Sequence, residues 1–268
     1  MSAYDDYSTT PGVRWSALKV MQESPAHYRA ALEQPSKETD ALTVGRLVHS
    51  LTLEPDTVGD EYTVWDGGRR AGKAWTEFVE AAGARTVVKA DDWGMAHDVA
   101  SAVRAHPIMA RLLDGAECEQ AVTWTDRETG LPCKALIDLY HPETGTLLDL
   151  KTTRSTCPRR FASQAASLGY HGQLAHYRAG LEANGRPVTR VLIAAVEKVP
   201  PYDVVVFDLT DSGAMETGAH LRRTLLDTLA DCIDRDEWPG RSSALEPLVL
   251  PSWADTDDGD IDMTLLED

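Results

Sequence analysis

The residues best placed to do chemistry fall within 131–153, LPCKALIDLYHPETGTLLDLKTT. Asp149 and Lys151 are separated by one residue, and on a β-strand positions i and i+2 project from the same face. Asp138 stands late in a preceding apolar, β-branched run, and Pro142, Glu143, Thr144 and Gly145 between the two runs supply turn chemistry. A hairpin over this stretch brings Asp138 beside the other two. Two carboxylates and one ammonium then converge on apolar strands, which is unfavourable unless they form an ion-pair network or hold a metal ion. Two hard oxygen ligands suit Mg²⁺ or Mn²⁺. A lysine beside them can polarise the water that attacks a phosphodiester. The plain alternative, an exposed Asp-x-Lys pair on an ordinary strand, fits the motif alone.

The surrounding pattern predicts the elements that must hold these groups. Ser16 is a candidate helix cap, and Ser24-Pro25 opens a helix carrying His27, Tyr28, Ala31 and Leu32. Residues 41–55, ALTVGRLVHSLTLEP, read as a buried helix ended by Pro55, with Gly45 and His49 on one face. Taken alone, a histidine in such a helix is more often a satisfied core residue than a ligand. A short strand is expected at 61–65. A basic loop follows at 66–73 with Arg69, Arg70 and Lys73, either solvated or touching phosphate. Helices are expected at 72–83, 91–105 and 107–114. From 119 the period changes to two: EQAVTWTD, a turn at 127–130 and the hairpin form a three-stranded meander opened by Glu119. Two helices, 158–168 and 170–183, meet at Gly169, and Gln173 and Tyr177 share a face of the second. Strands at 188–199 and 202–209 and a long amphipathic helix at 211–236 complete an α/β core around a mixed sheet.

Composition sets outer bounds. At 268 residues, 43% hydrophobic and 26% charged, the chain fits one large domain or a domain with an appendage. We expect a loose segment at 1–12 and a single domain over 13–240, with a helical part at 13–115 and a core at 116–240. An acidic, disordered tail is expected at 241–268. Neither a membrane span nor a signal pattern is present, so a cytoplasmic location is expected. Cys118, Cys133, Cys157 and Cys232 form no C-x-x-C and read as reduced thiols. The net charge of −17 argues against tight non-specific DNA binding, though not against a short basic channel. Seven acidic residues and no basic one fall within 254–268. Ile261, Met263, Leu265 and Leu266 among them could dock a partner or block such a channel, whereas the simpler role is solubility. The absence of GxGxxG and GxxxxGK[ST] argues against the Rossmann and P-loop classes.

In order, Gly45-xxx-His49, Glu119, Asp138, Asp149-Leu150-Lys151 and Gln173-xxx-Tyr177 resemble the PD-(D/E)xK nuclease superfamily. Their order and spacing are similar to the RecB-type and RecE-type exonucleases, and most of all to the exonuclease VIII (RecE-like) family of phages and prophages. SALKVMQESPAHYRAAL, ALTVGRLVHSLTLEPD, EQAVTW, TGLPCKALIDL, LLDLKTT and GYHGQLAHYRAGL carry the likeness, over about residues 14–185.

The resemblance implies a restriction-endonuclease-like α/β core and a set of roles. Asp138 and Asp149 would hold Mg²⁺, with Mn²⁺ able to substitute, and His49 would bind or orient the metal. The Leu150 backbone carbonyl would face it, Glu119 would support, and Lys151 would be the catalytic lysine. Gln173 and Tyr177 would line the site. Arg69, Arg70, Lys73, Lys134, Arg154, Arg159 and Arg160 are the expected DNA contacts. Family members often carry Arg two residues before the first Asp; here that position is Leu136, and Lys134 is placed to compensate. One cysteine before the GxxxH helix and a trio after QxxxY would mark an iron–sulfur branch, and that pattern is missing. The implied activity is a 5′-to-3′ exonuclease on duplex DNA ends in the bacterial host cytoplasm. It would work as a homo-oligomer and leave a 3′ strand for an annealing protein in recombination. A structure-specific endonuclease and a non-catalytic DNA-end or protein-binding module on the same fold are the alternatives.

Overall fold

The computed structural model describes residues 7–33 and 39–251. Short helical turns at Trp15–Leu18 and Lys19–Gln22 lead into α1 (Pro25–Glu33). Arg14, not Ser16, holds the N-cap position of the first turn. Ser24 does cap α1, its Oγ accepting from the His27 N–H at 3.3 Å. The apolar GxxxH run forms α2 (Asp40–Leu53), capped by Thr39, whose Oγ1 accepts from Leu42 N–H at 3.3 Å. Then come β1 (Tyr62–Trp65), α3 (Lys73–Ala82), β2 (Thr86–Lys89), α4 (Ala90–Ala105) and α5 (Pro107–Leu113). β1 and β2 pair in parallel as a separate two-stranded sheet, a strand and a pairing that the sequence reading did not anticipate.

The main sheet contains β3 (Glu117–Thr125), β4 (Pro132–His141), β5 (Thr146–Thr153), β6 (Arg190–Glu197) and β7 (Val204–Asp208), side by side in that order. β5 and β6 are parallel and the other neighbours antiparallel, so the sheet is mixed and its first three strands are the expected meander. The crossover from β5 to β6 carries α6 (Pro158–Leu168) and α7 (Tyr170–Ala183), and α8 (Ala214–Arg235) follows β7. Alternation along β5 divides the core. Leu148 and Leu150 pack with α2 and α4, while Leu147 packs with Phe161, Leu174 and Ile193 on the other face. A third apolar cluster joins Trp15, Leu18, Met21 and Tyr28 to Leu225, Leu226 and Leu229 of α8.

Two features position the site. β4 and β5 share only the pairs Leu139↔Leu148, Tyr140↔Leu147 and His141↔Thr146. Beyond them β4 continues against β3 to Pro132, and β5 continues against β6 to Thr153. The strands therefore fork, and Asp138 and Asp149 are the first residues past the fork. The second feature concerns the segment expected to be loose at 1–12. From Tyr7 onward it is seated on β4: Val13 bridges Cys133, its N–H donates to the Pro132 carbonyl at 2.8 Å, and Lys134 N–H donates to the Val13 carbonyl at 3.0 Å. Residues 236–251 are irregular, with Trp238 stacked on Tyr28. The part of the expected tail at 252–268, with Ile261, Met263, Leu265 and Leu266, lies outside the described residues, as do 1–6. No helix among the described residues is long and apolar enough to cross a membrane.

Candidate active site

At the fork, Asp138 Oδ2 accepts the Leu150 N–H at 2.8 Å. In a strand the N–H and C=O of one residue leave on the same edge, so the Leu150 carbonyl also faces this gap. α2 delivers His49 across it, with Nδ1 3.5 Å from Asp138 Oδ2 and 3.9 Å from Glu119 Oε1. Glu119 arrives by an unusual backbone. It lies inside β3, which begins at Glu117 rather than at Glu119, and its φ of 47° is left-handed. That conformation costs a non-glycine residue about 1 kcal/mol and turns its side chain into the cluster. One ligand atom each from His49, Glu119 and Asp138 lie within 4.8 Å of one another.

Asp149 and Lys151 stand beside this trio. Asp149 is 0% exposed, and Lys151 Nζ lies 2.5 Å from its Oδ2. Burial raises the Asp149 carboxyl to about 6 against the pull of Lys151, with Asp138 adding to the rise. Burial also raises Asp138, opposed by His49 and Lys151. For His49, burial works to lower the pKa, but Asp138 and Glu119 outweigh it and lift it to about 9. For Lys151 burial is likewise overcome by Asp149 and Asp138, and its pKa is raised. Lys151 is therefore an ammonium at neutral pH, a donor and a positive charge rather than a base. Its Nζ lies 5.0 Å from the Tyr170 ring centre. Gln173 donates from Nε2 to the Tyr177 hydroxyl at 2.7 Å, and the Tyr177 pKa is raised by burial and by Asp149 and Asp138.

These residues fit a divalent cation. Asp149 Oδ1 is buried without a hydrogen-bond partner while Oδ2 is held by Lys151, and the neighbouring trio already groups three donor atoms. The division of labour differs from the expectation in one respect: the pre-grouped set contains Glu119, expected only to support, while Asp149 is engaged with Lys151. A cleft of about 1010 Å³ opens over the trio, lined among others by Tyr7, Gly45, Arg46, Glu54, Leu136 and Tyr177.

The expected DNA contacts separate into two groups. Lys134 is a correction: it is only 6% exposed, and its Nζ donates to the Tyr7 and Thr10 carbonyls at 2.7 and 2.6 Å with the Tyr7 ring against it. It pins the N-terminal segment and so does not stand in for arginine at Leu136. Arg70 is also spent internally, on Asp40 at 3.1 Å, on the Val87 carbonyl at 3.2 Å and on the Trp75 ring. Lys73 pairs with Glu77 at 3.6 Å on the exposed face of α3. Arg69, Arg154, Arg159 and Arg160 are exposed. Arg154 leaves the end of β5 three residues past Lys151, whereas Arg159 and Arg160 open α6. Tyr7, Arg46 and Glu54 also line the cleft; Tyr7 comes from a segment without a motif, and Arg46 and Glu54 stand in the GxxxH run at positions that the motif does not mark. Only the fold brings them to the cleft.

Comparisons with known proteins agree with this architecture. The chain is similar to the crystal structure of an exonuclease candidate from Eubacterium rectale, at 14% identity and a TM-score of 0.60, covering 92% of this chain and 93% of that one. A phage-related exonuclease from Haemophilus somnus 129PT also matches, at 9% identity and a TM-score of 0.38, over 84% of this chain and 97% of that one. No curated protein matches. The family model described as a PDDEXK-like domain of unknown function (DUF3799) matches residues 15–248. The fork at Asp138 and Asp149 with Lys151 beside it is thus set in a PDDEXK-like fold, and the chain belongs to that DUF3799 family.

Proposed function

We propose that the protein is a metal-dependent deoxyribonuclease that hydrolyses phosphodiester bonds from duplex DNA ends. The observation that carries this reading is the His49–Glu119–Asp138 trio, which lines one cleft, with the buried Asp149–Lys151 pair beside it. His49, Glu119, Asp138 and Asp149, with the Leu150 carbonyl, would hold Mg²⁺ or Mn²⁺. An imidazole in the set is better tolerated by Mn²⁺. Such a cation supplies an acidified water and charge neutralisation at the phosphate. Lys151, kept protonated by Asp149 and Asp138, donates to a phosphoryl oxygen and offsets the charge that builds there in the transition state. Asp149 fixes the position of that ammonium. Tyr177, held by Gln173, shapes the wall facing the reacting group. Arg154, Arg159 and Arg160 are candidate backbone-phosphate contacts along the approach.

Action from ends with 5′-to-3′ polarity, delivery of a 3′ strand to an annealing protein and work as a homo-oligomer are supported by the resemblance to the RecE-like exonucleases. The test is degradation of 5′-labelled linear duplex with Mg²⁺ by wild type and Lys151→Ala, with a covalently closed circle alongside. Loss of the linear substrate alone, abolished by the substitution, is the expected result. Cutting of the circle would turn the reading to an endonuclease. Absence of cleavage with either Mg²⁺ or Mn²⁺ would turn it to a non-catalytic binding module.

A further inference from the structure

The basic side of the site continues past Lys151. Trp15 is buried against the elbow between α6 and α7, where a Cβ on Gly172 would run into its ring, and Gly169 is left-handed. Leu18 and Met21 anchor the same stretch on α8. These contacts press the turn Lys19–Gln22 against the elbow, and Lys19 Nζ reaches the Leu168 carbonyl at 3.5 Å. Two residues further along the elbow, the Tyr170 ring carries the Lys151 ammonium. Two ammonium groups therefore flank one elbow. Burial and the Lys151 charge both push the Lys19 pKa down.

The two lysines differ in their partners. Lys151 has Asp149, whereas no carboxylate among the described residues lies within ion-pair distance of Lys19. Three other partly buried cations have acids, Arg70 with Asp40 and Arg222 and Arg223 with Asp126, and the buried Lys134 has two short carbonyl contacts where Lys19 has one long one. A half-buried ammonium with one long carbonyl contact, set against a second ammonium, is unfavourable until an anion joins it. Lys19 is reached from Lys151 by way of Tyr170 and the elbow, and it does not line the cleft that opens over His49, Glu119 and Asp138.

We propose that Lys19 binds a backbone phosphate of the nucleic-acid substrate, next to the phosphate held at Lys151 and on its elbow side. The proposal rests on the nuclease reading and extends it by one substrate contact. Lys19 is a substrate-binding residue: it sets the register of the strand over the fork, and Lys151 acts on the bond.

The experiment measures binding of a fluorescent blunt duplex to the full chain in Ca²⁺ over a series of salt concentrations, for wild type, Lys19→Gln and Lys19→Arg. Cleavage kinetics in Mg²⁺ run alongside. Losing one phosphate contact should reduce the magnitude of the slope of log Kobs against log salt by about 0.9 in Lys19→Gln. KM should rise roughly tenfold with kcat nearly unchanged, and Lys19→Arg should recover most of the slope. A purely structural lysine that caps the Leu168 carbonyl would lower thermal stability and leave the slope alone; an unchanged slope overturns the proposal. Should Lys19→Gln not fold, acetylation of wild-type lysines with and without duplex gives the same decision. Lys19 protected by DNA supports the contact, and Lys19 modified equally in both overturns it. Wild type that neither binds nor cleaves duplex overturns the nuclease reading itself, whereas binding without a Lys19 effect removes this contact alone.

Discussion

At the scale of single residues, Glu119 shows how the centre is held under strain. With its left-handed backbone, its carboxylate stands 3.9 Å from His49 Nδ1. Glycine accepts that conformation freely and alanine does not. Glu119→Gly should therefore be more stable than Glu119→Ala by about 1 kcal/mol, measured by denaturant unfolding in EDTA. Both should lose most of the rise in Tm that Mg²⁺ or Mn²⁺ gives the wild type, since a ligand stabilises only the state that binds it. Equal stability of the two variants would show that the φ is not a source of strain. The Asp-x-Lys spacing announced the carboxylate–ammonium pair from the sequence alone. Glu119 was legible as a supporting carboxylate, but its left-handed backbone and its place in the trio were not, because nothing in EQAVTW signals a break in strand geometry. Lys134 was misread for a related reason: alternation put it on a plausible face, but the carbonyls that claim it belong to a segment about 125 residues away.

At the scale of elements, α2 is the wall that brings His49 to the sheet. Gly45 lies one turn before His49, lines the cleft, and has nothing within 4 Å of where a Cβ would sit. Packing therefore does not require glycine there, and glycine weakens a helix interior by about 1 kcal/mol relative to alanine. Gly45→Ala should raise stability by about 0.5–1 kcal/mol, while Gly45→Leu, projecting into the cleft, should cut DNA cleavage severely at little cost in Tm. Thermal melts and single-turnover rates on the two variants check both halves. On the other side of the sheet, α7 buries His176 at 0% exposure, its Nε2 within 3.2 Å of the Lys134 carbonyl. Burial, with Arg222 adding, lowers its pKa from 6.5 to about 3. The unfolded chain thus binds one more proton than the folded one between those values. Stability is complete above pH 6.5 and falls as the pH drops toward 3, by up to about 1.4 kcal/mol per pH unit. Replacing His176 with Gln should flatten that part of the stability-versus-pH curve; an unchanged slope would assign the acid sensitivity elsewhere. The helices, the meander and β6–β7 follow from periodicity and turn residues. β2 escaped because four residues between two helices carry too little pattern, and its parallel pairing with β1 is non-local.

At the scale of the whole molecule, the proposed function would have an acidic protein handle a polyanion. The net charge is −17, and Glu54, Asp60, Glu61, Glu119 and Asp138 all line the same cleft. Phosphate entering this field is repelled unless a cation is present. Affinity for duplex DNA should consequently be at least tenfold weaker in EDTA than in Ca²⁺ at equal ionic strength, as read by fluorescence anisotropy. Equal affinity would place the binding surface away from the cleft. The composition announced the overall charge, but its concentration around the site emerges only when α2 and the turn Val58–Glu61 fold over β3 and β4.

The fork between β4 and β5 also bears on how the molecule comes into being on the ribosome. With only three pairs to β4, the outer half of β5 depends on β6, which is made some forty residues later and pairs with β5 from Thr146↔Arg190 to Thr153↔Glu197. A nascent chain that has not yet released β6 holds Asp149 and Lys151 on an unsupported strand. Shortened products ending before residue 190 should therefore lack the strand that supports Asp149 and Lys151.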